Sequence, residues 1–216
     1  MRMRLQKELD KLKRMVLSLG AMVEENLRRA SNCVEEKSIE IGKQVVKADV
    51  EIDENEVEVE EECLKILALH QPVAVDLRFI AAVIKINNDL ERIGDEAVNI
   101  AERVFYLANH AQPKLSVDYT AMSEKAEEMV RKSLDALVKQ DLDLAFQVLL
   151  MDDIVDEMYH KTFDRVKDAI KEEPENAGYL INLLSISRHL ERIGDHATNI
   201  AEEVIYLIEG EIIRHT

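Results

Sequence analysis

The stretch Leu-Glu-Arg-Ile-Gly-Asp occupies residues 90–95 and recurs at residues 190–195. Each copy carries two acids four residues apart, Glu91 with Asp95 and Glu191 with Asp195. On a helix such a pair stacks one side chain above the other, about 6 Å apart, at a cost of roughly a few tenths of a kcal/mol unless a cation compensates. A second acidic pair precedes each copy: Asp49 with Asp53, and Asp152 with Asp156, displaced by 103 residues. If the helix bearing the earlier pair packs beside the helix bearing the later one, four carboxylates converge. An all-oxygen set of this kind suits hard cations such as Mg, Mn, Ca or iron, and suits structural zinc poorly, because zinc prefers Cys and His. Without a cation, the same carboxyls would hold their protons to higher pH. Asn99, Glu102, Asn199 and Glu202 continue the same helical faces and are candidate additional or supporting ligands. The competing reading is an ordinary solvated face, since charged pairs at this spacing are common on helices. Duplication of both pairs together with their surroundings weighs against it.

Other chemistry is thinner. Glu157 and His160 form one ExxH, whereas a di-iron bundle needs two such pairs and two further Glu. A di-iron carboxylate enzyme is the alternative this leaves open, beside a metal-free helical adaptor. His189 and His196 flank the second acidic repeat, but Asp89 and Glu96 stand in their places in the first, so the histidines read as interface or edge residues. Neither a Gly-rich phosphate loop, nor GxSxG, nor a Cys/His dyad occurs, so there is no argument for covalent catalysis, and the expectation is a protein that is not an enzyme.

The formal charge of −16, from 44 acidic and 28 basic residues, repels a polyanion, so nucleic acid is an unsuitable partner. It suits metal cations or a basic protein, or simply keeps charged helices soluble. Cys33 and Cys63 sit among apolar residues of helical pattern and read as core hydrophobes of a reduced compartment. Nothing approaches ~18 uninterrupted apolar residues, and the basic N-terminus mixes charges in every turn. The expectation is a soluble, cytoplasmic protein.

The elements that must position the acids are helices. Only 6 Gly and 3 Pro occur in 216 residues, and Leu5, Leu9, Leu12, Val16, Leu19, Val23, Asn26, Ala30 and Cys33 alternate steps of four and three, a heptad seam. A second helix is expected over about 38–69, with Ile41, Val45, Ala48, Ile52 and Val59 inward. Pro72 is expected in the first turn of a third, where its missing N–H costs nothing. That third helix carries Val83, Ile86, Leu90, Ile93, Ala97, Ile100, Val104 and Leu107 inward and Glu91, Asp95, Asn99 and Glu102 on the opposite face. The plan then repeats: a helix from about Tyr119 to Lys139, a break at Gln140-Asp141, a helix to about Glu172, the turn EEPENAG, and a last helix to Glu209. Residues 90–107 and 190–207 are identical at fourteen of eighteen positions. The prediction is all-α: six long helices as two duplicated three-helix bundles, residues 1–112 and 113–216, forming one continuous elongated body.

These features together resemble the PhoU family, accessory and regulatory proteins of the bacterial phosphate-specific transport system. The match rests on the duplicated acidic motifs, on QPVAVDLR at 71–78, on LERIGDEAVNIAE and LERIGDHATNIAE, and on GEIIRHT at the C-terminus, and it runs along essentially the whole chain. The resemblance implies a cytoplasmic, non-enzymatic negative regulator of phosphate uptake and phosphate-starvation signalling, expected as a homodimer. Its implied partners are the phosphate ABC transporter's ATPase subunit and the sensor histidine kinase, so it would be peripheral to membrane proteins only. It also implies multinuclear iron or zinc at Asp49, Asp53, Glu91, Asp95, Asp152, Asp156, Glu191 and Asp195. Asp76 and Arg78, which lack counterparts at 171–178, are candidates for partner contact, or else a helix-start device. Arg188 stands where the first unit has Asn88, which puts equal metal occupancy of the two sites in question.

Overall fold

A computed structural model describes residues 2–210, which form α1 (Arg2–Glu36), α2 (Ile39–His70), α3 (Val75–Ala108), α4 (Thr120–Lys139), α5 (Leu142–Glu172) and α6 (Ala177–Glu209), with one 3₁₀ turn at Pro174–Asn176. The described residues contain no strand, as the scarcity of turn formers and the heptad rhythm predict. Helix ends follow local chemistry. Ser38 and Asp141 cap α2 and α5, accepting hydrogen bonds from the backbone N–H of Ile41 at 3.3 Å and of Leu144 at 3.1 Å. Each follows a residue in the left-handed region, Lys37 at φ 49° and Gln140 at φ 51°. The same two-residue helical hairpin turn is thus built twice, 103 residues apart.

Pro72 departs from expectation. α2 ends in a left-handed cap at Gln71, α3 begins only at Val75, and Pro72 lies buried in the connection, not within the helix. Ala74, at φ 50° and ψ −116°, makes the turn in a region costly for a residue with a Cβ. Of the GEIIRHT segment only Gly210 is among the described residues.

The predicted seams are buried: Leu12, Leu19, Val23, Ala30 and Cys33 in α1, Ile86, Leu90, Ile93, Ala97 and Ile100 in α3, and their counterparts in α6 belong to a single hydrophobic core. α3 and α6 form the most extensive helix pair and lie at the centre, α3 packing on α1 and α2, α6 on α4 and α5. They run antiparallel, since Asp89 meets His196 and Glu96 meets His189. Exchanging the two units turns one of these contacts into the other, so an approximate two-fold axis passes between the repeated hexapeptides. Among the described residues no helix is long and apolar enough to cross a membrane.

Candidate functional site

The first acidic cluster forms where α2 crosses α3. Gly94, the glycine of the first hexapeptide, faces Asp49: a Cβ there would fall 2.8 Å from Asp49 Oδ1 and 3.3 Å from Ile52 Cγ2. A bare backbone at this position lets the Asp49 carboxyl seat against α3, and its Oδ1 is buried with no hydrogen-bond partner. Burial first, then the charges of Asp53, Asp95 and Glu91, push the Asp49 carboxyl up to about 6. Glu91 is likewise raised by burial and by Asp95, with Arg92 opposing, and Asp53 and Glu56 add to the rise. Asp95 is raised by burial, Asp53 and Glu96, against Arg92 and Arg192. The four predicted carboxylates therefore share one neighbourhood.

The second cluster repeats this on α5 and α6. Asp152 Oδ1 is also buried without a partner and lies 3.4 Å from where a Cβ on Gly194 would stand. Burial, then Asp156, Asp195 and Asp153, push the Asp152 carboxyl up to about 6. Burial, Asp195, Asp156 and Asp152 raise Glu191, and Arg188 pulls it back. The departure from symmetry at residue 188 thus acts within the cluster itself.

Two orphaned buried aspartate oxygens at duplicated positions, each amid carboxyls that resist ionising together, fit a hard cation in donor chemistry. Asp49, Asp53, Glu91 and Asp95 would hold it in the first unit, and Asp152, Asp156, Glu191 and Asp195 in the second. Among the described residues, however, no three Asp, Glu, His or Cys side chains are already drawn into a metal-binding set. Mutual repulsion keeps surface carboxylates apart until a positive charge gathers them.

The remaining candidates lie elsewhere. Asn99 and Asn199 are not on a free face beside their own clusters but in the α3–α6 interface: Asn199 Nδ2 donates to Asp89 Oδ1 at 3.1 Å, and Asn99 Nδ2 to Glu96 Oε2 at 3.4 Å. Glu102 is exposed and accepts from its neighbour Arg103 at 3.4 Å. Glu202 lines a groove shared with the first unit's α2. Asp76 sits in the first turn of α3, where the dipole favours a negative charge, and the Arg78 guanidinium reaches across to Gly210, the left-handed cap of α6. Glu157 is exposed and paired with Lys161 at 2.7 Å, and His160 is exposed beside Tyr159.

His189 and His196 are interface residues, as their substitution pattern predicts. His189 Nδ1 lies 2.6 Å from Glu96 Oε2, and His196 Nδ1 lies 2.9 Å from Asp89 Oδ1. The residue that sequence reasoning missed is Glu96. Its side chain is only 4% exposed and also takes Arg192 Nη1 at 2.8 Å. Burial would raise its carboxyl, but the hydrogen bond and charge of His189, then Arg192 and Asn99, hold it below the ordinary range. The signal was present in the exchange of acid for histidine at both 89/189 and 96/196, which an antiparallel helix pair converts into two acid–histidine contacts.

Six α-helices among the described residues, with two acidic clusters related by internal duplication, define the class of protein. The family model for the PhoU domain matches residues 16–104 and again 119–204, and the chain belongs to the PhoU family. The phosphate-specific transport system accessory protein PhoU homolog of Aquifex aeolicus is 42% identical over 99% of this chain and 96% of its own length. That of Pseudomonas aeruginosa is 37% identical over 96% and 86%. The crystal structure of PhoU from Pseudomonas aeruginosa superposes with a TM-score of 0.92 at 36% identity, covering 95% of this chain and 99% of that one. The phosphate transport system regulatory protein PhoU from Streptococcus pneumoniae gives 0.89 at 26%, covering 98% and 100%.

Proposed function

We propose that this protein is a phosphate-transport accessory factor that restrains phosphate uptake and phosphate-starvation signalling. It acts as a cytoplasmic, non-enzymatic adaptor, working as a homodimer on the ATPase subunit of the phosphate ABC transporter and on the sensor kinase of the phosphate two-component system. Family membership supports the phosphate-transport role. The observation that carries the metal-dependent part is the pair of orphaned oxygens, Asp49 Oδ1 and Asp152 Oδ1, each buried within a carboxylate cluster. A bound Mg, Mn, iron or zinc ion would supply positive charge. The chain's own residues do the rest: Gly94 leaves room for Asp49 against the α3 backbone, and Glu91, Asp95, Glu191 and Asp195 would complete the two ligand sets. Neutralising both clusters converts a repulsive acidic surface into one that a membrane-protein domain can approach.

The test is the joint substitution Asp95→Asn and Asp195→Asn. Elemental analysis of purified protein should show less bound metal with the thermal melt retained. A pull-down from phosphate-replete cells should lose the transporter ATPase in the same variant. Unchanged metal content would overturn the cation assignment and leave a metal-free helical adaptor, whereas lost metal with unchanged partner recovery would separate cation binding from docking.

A further inference from the structure

The end of the molecule where α2 passes into α3 carries an apolar surface that the core does not use. Val73 is 74% exposed and Val75 61%, and Met3, Leu69 and Leu77 around them are exposed as well. Two ion pairs join α1 to α2, Lys11 with Glu62 at 2.9 Å and Lys65 with Glu8 at 3.8 Å, and they set the helices antiparallel. Continuing that register brings Met3 and Arg4 level with His70 and Leu69, beside the connection. The connection is pinned: Pro72 is buried, and Gln71 at φ 46° and Ala74 at φ 50° both sit where a Cβ is costly. A strained turn thus holds two valines out in water, where they add nothing to the core.

Charge sets this end apart. Across residues 3–8 and 64–78 the bases Arg4, Lys7, Lys65 and Arg78 outnumber the acids Glu8 and Asp76, in a chain whose net charge is −16. Arg4 and Lys7 are exposed, and neither is ion-paired among the described residues. The opposite end, where α6 begins, reads KEEPENAG at 171–178, with three acids, one base and no large apolar side chain. Distance isolates the basic end from the acids behind it. Asp95 lies about 30 Å along α3 from Val75, and Glu61 about 12 Å along α2 from Leu69. Exposed charges separated by more than roughly 8 Å are largely screened at physiological salt, so the local bases decide what approaches. None of the five apolar side chains is a ring, whereas protein contacts concentrate aromatic anchors. Aliphatic chains beside bases match the boundary between acyl chains and anionic headgroups.

We propose that this end docks on an anionic lipid surface, with Met3, Leu69, Val73, Val75 and Leu77 entering the headgroup layer and Arg4 and Lys7 meeting lipid phosphates. The contact goes beyond the adaptor role: it uses neither acidic cluster and needs no protein partner. The chain has no tryptophan, so Val73→Trp supplies a single reporter. Ile181→Trp, at a 53% exposed position near the start of α6, is its control. The full chain is sedimented with vesicles of phosphatidylcholine alone and of phosphatidylcholine mixed with phosphatidylglycerol, at low and high salt. Binding is expected to the mixed vesicles only, with the emission of the Val73→Trp protein moving to shorter wavelength and that of the Ile181→Trp protein unchanged. Val73→Ser/Val75→Ser should weaken binding about tenfold, and so should Arg4→Gln/Lys7→Gln, the latter loss fading at high salt. The apolar control pair Phe163→Ser/Ile181→Ser should stay within about twofold. Failure of the unmodified chain to bind the mixed vesicles at low salt would overturn the proposal. So would equal losses from the two apolar pairs, or equal emission shifts from the two tryptophans. If vesicle binding is absent while Val73→Ser/Val75→Ser loses the transporter ATPase in a pull-down, the patch is a protein contact and the lipid assignment falls. Vesicle binding by the purified chain does not depend on the regulator reading, so either can fail alone.

Discussion

The two units of this protein share a plan yet differ where they meet and at the clusters they carry. At the α3–α6 interface the first unit contributes the acids Asp89 and Glu96, and the second contributes the histidines His196 and His189. Had the duplication stayed perfect, a two-fold axis would have placed acid against acid at both contacts. With histidines at 189 and 196, both contacts set an acid against a histidine instead. The acidic clusters diverged less: both keep an orphaned aspartate oxygen against a glycine. Conserving a feature with a local cost in both copies, while the interface beside it became complementary, points to a function shared by the two clusters.

The interface contrast breaks most readily at Glu96. Removing its carboxylate strands His189 and Arg192, and a fully buried pair so broken typically costs about 3–5 kcal/mol. Arg192 is 43% exposed and can turn to water, so Glu96→Ala is expected to destabilise by roughly 2–3 kcal/mol. Asp89→Ala removes a more accessible acid and should cost only about 1 kcal/mol. Urea unfolding of the two variants decides it. Equal losses would show that the two contacts share the load evenly and that burial does not set their weight.

How far the chain's own pattern leads can be argued from these residues. The heptad steps place helix ends within a residue or two, because Ser38 and Asp141 cap and the turns at 37–38 and 140–141 repeat. They misplace Pro72, since a proline compatible with a helix start is equally compatible with the connection before it. A helical wheel sets Glu91 and Asp95 away from the apolar seam, and they do lie outside the core. The same wheel passes over Glu96 and puts Asn99 and Asn199 on the outer acidic face, because α3 has a second buried face, toward α6, that one helix cannot reveal. The closeness of Gly94 to Asp49 is equally hidden: the glycine is visible in the repeated hexapeptide, but its reason is a contact with another helix.

The clusters themselves separate at these glycines. An alanine at 94 would place its Cβ 2.8 Å from Asp49 Oδ1, whereas one at 194 meets Asp152 Oδ1 at 3.4 Å, an ordinary contact. Gly94→Ala should therefore displace the aspartate and lower stability by about 1–2 kcal/mol, with loss of cation at the first cluster. Gly194→Ala gains helix propensity, worth roughly 1 kcal/mol in a helix interior, against little strain, so it should be neutral or slightly stabilising. Thermal melts with metal analysis test the pair together. A Gly194→Ala protein as weakened as Gly94→Ala would show that the second aspartate is held as tightly as the first.

The smallest difference to probe is the charge at 188. Arg188 opposes the carboxylate repulsion that raises Glu191, while the first unit has the neutral Asn88, whose Oδ1 accepts from Arg92 Nε at 3.4 Å. Positive charge beside a cation site works against the cation, so Arg188 should weaken binding at the second cluster, as Arg92 does at the first. Arg188 is exposed, and solvent and salt limit its reach, so the effect is a few tenths of a kcal/mol, about a twofold change in affinity. Arg188→Asn is expected to raise Mn²⁺ affinity at the second cluster by about that factor, more visibly at low than at high ionic strength. Asn88→Arg should weaken the first by a similar factor. If titration with the first cluster disabled by Asp95→Asn shows no gain from Arg188→Asn at low salt, the charge at 188 does not reach the cation. A difference in affinity between the clusters would then have to come from the tighter seat that Gly94 gives Asp49.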